Sequence, residues 1–486
     1  MVNRTKLLTI VGLGLFCVLV FLPPIIHGYV YPSVGDDTAA HLQVFDKIQS
    51  DTYGDFPLIL SYRLVGYPIV WLSNWTSWSI DIIFLWFNYA SLVTIGLTIY
   101  FIISRLVNRT AGWLALAVTL FGAQGIFFQF YYGQIFNAIN LGIILPWVLY
   151  FTVRYLTQGR WYQIIGALVL GGLFGAFHTS GIYLPFVAGF ALCTYIVYSL
   201  VKRQSINLKA VYLGGSVAVL SLIVFLMSIT NAGDLWEAVL HQLSAVMAVP
   251  LSNYFMGIVS PTVLILVVFT IVFMSDILKR LSSEAKVIIF LLFSITVVLG
   301  VSAFARLSLD PFRQALDFAT VLAMLVAVMV GGFIWKLKSQ FPIIILVLAV
   351  SFGLWHNVPT WLDYNSAIRP ADKEAISYVE ELGFYQYNTS PEIAHWIYDR
   401  VTVSAEYSDN VSGVLIVRNL PMTPRSDLDN KWYEIHGIDP DNYKPIYGDD
   451  SFEDDYGLMK TFDDGKVIVK VYENLGNAYL SPIGGK

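Results

Sequence analysis

Cysteine is almost absent: 486 residues contain two, Cys17 and Cys193. Both stand inside apolar runs, which excludes a disulfide framework and a cysteine-based metal site. Charge is scarce as well. Lys, Arg, Asp and Glu make up 13% of the chain, about half the share expected of a soluble protein of this length. Nucleotide motifs are missing: there is no P-loop, no dinucleotide fingerprint, no HExxH and no GxSxG. Their absence argues against a nucleotide-driven pump and against a nucleotide-sugar enzyme with a Rossmann domain. There is no internal repeat and no low-complexity segment, and nucleic acid is not an expected partner.

What is abundant is apolar surface, 56% of residues. The scarce charge is also unevenly spread. Residues 1–358 hold 18 Lys/Arg and 12 Asp/Glu, a formal +6, and residues 359–486 hold 11 and 22, a formal −11. A long apolar part therefore precedes an acidic, water-soluble tail of one small domain. Arg4 and Lys6 before the apolar run Leu7 to Ile26 give it the look of a signal peptide. It lacks a small-x-small cleavage site and ends in Pro23-Pro24, so an uncleaved first helix is expected.

Runs near the 20 residues that cross a hydrocarbon core fall near 7–28, 80–104, 111–129, 135–155, 162–178, 181–201, 210–231, 257–277, 286–304, 316–335 and 341–358. These are eleven candidates, the fifth and sixth parted only by His178-Thr179-Ser180. With the N-terminus inside, inner segments hold fourteen Lys/Arg and outer segments only Lys47, Arg63, Arg306 and Arg313. That asymmetry predicts N-in, C-out. The expected fold is a polytopic α-helical membrane protein of about eleven spans (residues 1–358), with a long first outer loop (about 29–79). A small α+β extracytoplasmic domain follows (359–486). In this tail, Pro370 to Leu382 reads as a helix and Ser390–Tyr398 as a second. Gly413–Val417 and Val467–Val471 read as strands. Gly171, Gly172 and Gly175 lie inside a span, where small residues serve helix packing.

The first outer loop opens with Gly35-Asp36-Asp37-Thr38-Ala39-Ala40-His41-Leu42. Leu42, Phe45 and Ile48 recur every third residue, so a short amphipathic helix begins near Asp37 and sets Asp37 and His41 on one face. A carboxylate just outside the membrane can take the proton of an attacking acceptor hydroxyl. The same acids can equally cap the helix, leaving His41 as an interfacial side chain. A late outer loop carries Arg306 and Arg313. Guanidinium groups there can clamp the phosphate of a lipid-linked substrate, or pair with Asp310 and Asp317 at i,i+4 spacing. The stretch Gln129 to Asn137 offers Gln129, Tyr132 and Gln134 for a sugar pocket and contains no acid. His178 lies where a span meets the surface and is suited to bond a phosphate or to stay as a satisfied interfacial histidine. Asp234, Glu237 and His241 share one helical face, compatible with a divalent cation. The run Asp449 to Asp455 reads as solvated surface.

Together these features resemble the GT-C glycosyltransferase superfamily, the mannosyltransferase, aminoarabinose transferase and oligosaccharyltransferase group. The resemblance rests on the loop start Gly35-Asp36-Asp37-Thr38-Ala39-Ala40-His41-Leu42 and on the tail segments Ala371-Asp372 through Val379 and His395-Trp396. It implies a polyprenyl-phosphate sugar as donor substrate, with Asp36 or Asp37 as the base. Two departures stand out: there is no Trp-Trp-Asp signature for reading an acceptor sequon, and the next outer loop has no acid pair for a metal. Both point to the single-sugar, metal-independent branch. The implied activity is that of an inverting, multi-pass cell-membrane enzyme of envelope glycan synthesis. Its partners would be membrane lipids, a lipid-linked sugar donor and a glycan, lipid or protein acceptor. A non-catalytic flippase for lipid-linked sugars, or an assembly subunit, is the alternative.

Overall fold

The structure is a computed structural model. It describes residues 4–27, 36–50, 60–122, 126, 129–130, 133–228, 260–304, 311–334, 370–382, 414–418, 456–465 and 468–474, with isolated positions between 344 and 355. Among these residues the protein is a helical membrane protein with a small separate sheet.

Seven helices are long and apolar enough to cross a bilayer. They are α1 (Arg4–His27), α4 (Ile80–Leu106), α6 (Ile135–Gln158), α8 (Tyr183–Val201), α10 (Pro261–Arg280), α11 (Ser283–Phe304) and α12 (Pro311–Phe333). Two further apolar helices, α7 (Trp161–Phe177) and α9 (Leu208–Ser228), are shorter in their apolar part. The expected span at 111–129 takes another form. Helix α5 (Arg109–Ala117) widens into a π-turn at Val118–Gly122. A second π-turn, Asn140–Ile144, interrupts α6. Such turns rotate the helix faces that follow and often mark functional positions. The candidate span at 341–358 is described only at isolated positions, and the segment 232–256, with Asp234, Glu237 and His241, lies outside the described residues.

Local chemistry sets the boundaries. Ser79 caps α4 through Ile82 N, Asn108 caps α5 through Ala111 N at 2.8 Å, and Ser260 caps α10 with Pro261 behind it. Gly159 ends α6 in the left-handed region at φ +72°, a conformation glycine adopts without steric penalty. Helix α12 runs through the middle of the bundle, with Leu316, Val321, Ala323, Met324, Val328 and Val330 fully buried. Close approach is built from small residues: a Cβ on Gly331 would meet the Ala111 backbone at 2.5 Å, and one on Gly175 would meet Ser221 O at 2.7 Å. Gly171 and Gly172 face Val217 and Leu220 of α9, the packing role expected of them.

The two ends of the bundle differ. At one end the chain leaves α6 and enters α7 and α11, carrying Arg154, Arg160 and Lys286, and Arg154 bonds Glu284 at 2.8 Å. The opposite end gathers the C-termini of α1, α7 and α11 with the N-termini of α4, α6, α8 and α12. Over that end fold α2 (Asp36–Gln49), a π-turn (Tyr62–Gly66) and α3 (Tyr67–Thr76). Trp71 and Trp75 of α3 stack at 5.9 Å and stay exposed, as interfacial aromatic side chains do.

In the tail, α13 (Pro370–Glu381) forms where the sequence predicts it. It packs on an antiparallel sheet of three strands, β1 (Val414–Arg418), β2 (Tyr456–Asp463) and β3 (Ile468–Asn474), in the order β1-β3-β2. The sheet therefore contains both predicted strands and adds β2. Residues 390–398 and 449–455 lie outside the described residues.

Candidate active site

Helix α2 starts at Asp36, next to the expected Asp37, and buries the predicted face: Leu42, Phe45 and Ile48 are all enclosed. The side chains of Asp36 and Asp37 lie outside the described residues. Asp36 and Asp37 occupy the first turn of α2 by position, and the next residue, Thr38, is buried. One turn on, His41 points inward. Its ring packs against Phe136 at 4.4 Å, Tyr62 at 5.5 Å and Phe84 at 5.8 Å, and Nδ1 lies 2.8 Å from the Tyr62 hydroxyl. These contacts join α2 to α4, to α6 and to the π-turn before α3. His41 thus anchors the helix that carries the acids.

The described residues between Gln129 and Asn137 are equally enclosed. Gln129, Gln134 and Asn137 are buried, and Gln134 N donates to Gln129 O at 2.7 Å, closing the turn. The sequence shows no acid in this segment, yet one reaches it from elsewhere. Asp317, fully buried in the second turn of α12, accepts hydrogen bonds from Gln129 Nε2 and Asn137 Nδ2, each at 2.7 Å. Two amide donors on one carboxyl oxygen offset part of the cost of burying this polar group. Neighbouring Gln314 donates to Ser302 Oγ at 2.8 Å and ties α12 to the end of α11.

The two groups meet at Gly133. Its φ is +76°, and a Cβ there would collide with the Thr38 hydroxyl and backbone nitrogen. The first turn of α2 therefore rests directly on the turn that Asp317 holds. Behind it, Phe136 meets Phe177 at 6.1 Å. Asn140 Nδ2 donates to Ser180 Oγ at 3.1 Å, and Ser180 N donates to His178 Nδ1 at 3.2 Å. His178 is half-buried and caps the short 3-10 turn Thr179–Ile182. Asp46 and Lys373 lie within electrostatic reach of Asp81 in the first turn of α4.

The structure thus brings together the α2 start, His41, Gln129, Gln134 and, one layer back, His178. Tyr132, Arg306 and the side chain of Arg313 lie outside the described residues, as do both arginine–aspartate pairings weighed from the sequence. No three His, Cys, Asp or Glu side chains converge as metal ligands among the described residues.

No protein-family model matches the chain, and no curated protein matches its sequence. In fold it is similar to two GT-C glycosyltransferases. One is an oligosaccharyltransferase of Archaeoglobus fulgidus, solved in complex with Zn and sulfate. It shows 14% identity and a TM-score of 0.47, over 80% of this chain and 61% of that one. The other is the arabinofuranosyltransferase AftD from mycobacteria, with 11% identity and a TM-score of 0.49, over 97% of this chain and 42% of that one. The chain thus spans about three fifths of the length of the first and two fifths of the second. The likeness is one of fold alone.

Asp317, Tyr62 and the Thr38–Gly133 contact were not found from the sequence. Asp317 did carry a signal, a carboxylate inside a predicted span, which is a functional position by default. Its i,i+4 spacing from Arg313 masked that signal by suggesting a surface pair.

Proposed function

We propose that this chain is an inverting membrane glycosyltransferase that moves a sugar from a polyprenyl-phosphate donor to an acceptor hydroxyl on the outer face. In this reading Asp37, or Asp36 beside it, takes the proton of the acceptor hydroxyl as its oxygen attacks the anomeric carbon. The bond from that carbon to the lipid phosphate breaks with inversion. The released polyprenyl phosphate carries the electron pair, stabilised by Arg306 and Arg313 with His178 nearby. His41, Gln129, Tyr132 and Gln134 shape the sugar and acceptor sites. The eleven-span, N-in topology belongs to the same proposal, with the tail 359–486 outside and a glycan, lipid or protein as acceptor.

The observation that carries the reading is the junction of α2 with the Gln129–Asn137 turn. Two acids start a helix whose first turn rests, through Thr38, on a glycine turn held by a buried carboxylate. A helix cap alone has no need of such support, whereas a general base needs a fixed position. The basic residues at the opposite end favour placing this junction outside.

The test is transfer of sugar from a polyprenyl-phosphate donor by purified Asp36→Asn, Asp37→Asn and double variants. Asn caps a helix about as well as Asp, so folding and donor binding should persist. Loss of the base should lower the rate by ~10²–10⁴-fold in one single variant and in the double. Full turnover by the double variant would refute catalysis by these acids and leave them as a helix cap, whereas no transfer by the wild type would favour a flippase or an assembly subunit.

A further inference from the structure

A cavity of about 710 Å³ opens between α6, α8, α9 and α11 in the half of the bundle away from the candidate active site. Its volume falls within the roughly 300–1,000 Å³ of small-molecule sites. Its walls are apolar, from Leu145 and Leu184 at the closed end to Leu156 near the mouth. Along α8 the lining reaches from Leu184 to Tyr198, roughly 21 Å at 1.5 Å per residue. That is the length of an extended fatty acyl chain, not of a compact polar solute.

Apart from the hydroxyls of Thr152 and Thr194 further in, the polar side chains lie at the mouth. There Lys286, Tyr195, Tyr198 and Asn207 line the opening, and Asn207 N donates to the Tyr195 hydroxyl at 2.8 Å. Lys286 is exposed and makes no ion pair among the described residues, while nearby Glu284 is engaged by Arg154. Lys202 and Arg203 sit exposed in the turn before Asn207. An apolar slot one acyl chain long, with cationic charge only at its mouth, is complementary to an anionic lipid and not to a neutral one. A zwitterionic headgroup would bring its own cation against Lys286.

We propose that this cavity binds the acyl tail of an anionic membrane phospholipid, with its phosphate set against Lys286. The site is distinct from the transfer chemistry. Its closed end stops about one turn short of Asn140 and Ser180, whose hydrogen bond lies between it and the junction above.

The test uses the purified full chain, stripped of lipid in detergent and then given phosphatidylglycerol or phosphatidylcholine of matched chains. Retained lipid is counted by native mass spectrometry. The wild type should keep phosphatidylglycerol in preference to phosphatidylcholine. Lys286→Gln should lower that preference about tenfold, the loss of one hydrogen bond to a charged group. Gly214→Leu fills the slot, where an added Cβ meets nothing closer than 3.7 Å, and should reduce retention of both lipids. Equal retention of the two lipids by the wild type would overturn the proposal. So would unchanged retention in both variants. If a long-chain polyprenyl phosphate displaces phosphatidylglycerol from the wild type but is not retained by Gly214→Leu, the occupant is the carrier lipid, and the assignment to a phospholipid fails.

Discussion

Gly133 and Thr38 lie so close that one added methyl group would strike both the Thr38 hydroxyl and its backbone nitrogen. This contact links two segments nearly a hundred residues apart. It sets the first turn of α2, which holds Asp36 and Asp37, on the turn between Gln129 and Asn137. The position of the proposed base therefore depends on a residue with no chemistry of its own.

Gly133→Ala should accordingly be more harmful than a surface Gly→Ala change. The substitution meets a positive φ of +76° and a backbone atom that cannot rotate away, an incompatibility expected to cost more than about 1 kcal/mol. The expected outcome is a lower Tm together with a loss of sugar transfer. Gly465→Ala is the control. It also has positive φ, +80°, but nothing within 4 Å, so it should lose stability without a specific loss of transfer.

Asp317 allows a sharper test, because both of its amide partners are identified. Removing the carboxylate leaves buried Gln129 and Asn137 amides without their acceptor, at about 1–3 kcal/mol for each. Asp317→Ala should therefore lower Tm strongly. Asp317→Asn should lower it less, since its carbonyl oxygen can keep one bond. A double-mutant cycle of Asp317→Asn with Gln129→Leu should give a coupling energy of about 0.5–3 kcal/mol. Additive effects would show that the 2.7 Å contact contributes nothing in solution.

The sequence foretold the α2 start, its apolar face and the Pro370 helix, because each is encoded locally by a periodicity or a cap. The partners of Asp317 were not legible for the opposite reason: Gln129 and Asn137 are 188 and 180 residues away. Nothing in the spacing of a membrane span says which face will turn toward a remote loop. The π-turns at Val118–Gly122 and Asn140–Ile144 were equally silent. They change register without changing composition, so the run at 111–129 read as one uninterrupted helix. His41 was visible in the helix pattern, but its contacts were not. Its hydroxyl partner Tyr62 lies 21 residues away, across a segment that showed no pattern.

Tyr62→Phe isolates that hydroxyl. The ring contacts with His41, Phe45 and Phe136 should survive, and the bond to His41 Nδ1 should be lost. A destabilisation of about 0.5–1.5 kcal/mol is expected from a single neutral hydrogen bond. His41→Ala should cost more, since it also removes packing against three aromatic rings. If Tyr62→Phe leaves Tm unchanged but raises KM for acceptor, the hydroxyl serves substrate and not α2.

The orientation of the whole bundle can be tested without substrate. Positive charge gathers on the cytoplasmic side of membrane proteins, and here the described end that holds Arg154, Arg160, Lys202, Arg203 and Lys286 is opposite the α2 junction. In a background with Cys17 and Cys193 replaced by Ala, two single cysteines distinguish the faces. Asn74→Cys lies on α3, exposed near the C-terminus of α2, and Ser282→Cys lies exposed at the start of α11 on the basic end. Neither position is in the core, though Asn74 accepts a hydrogen bond from Gln49 and Ser282 caps Ala285, so both variants should fold with only a small loss of stability. An impermeant thiol reagent applied to intact cells should label Asn74→Cys. Ser282→Cys should be labelled only after the membrane is opened. Labelling of Ser282→Cys in intact cells, with Asn74→Cys protected, would turn the bundle over. The junction of α2 with the Gln129 turn would then face the cytoplasm, and a lipid-linked donor presented at the outer surface could not reach Asp36 or Asp37.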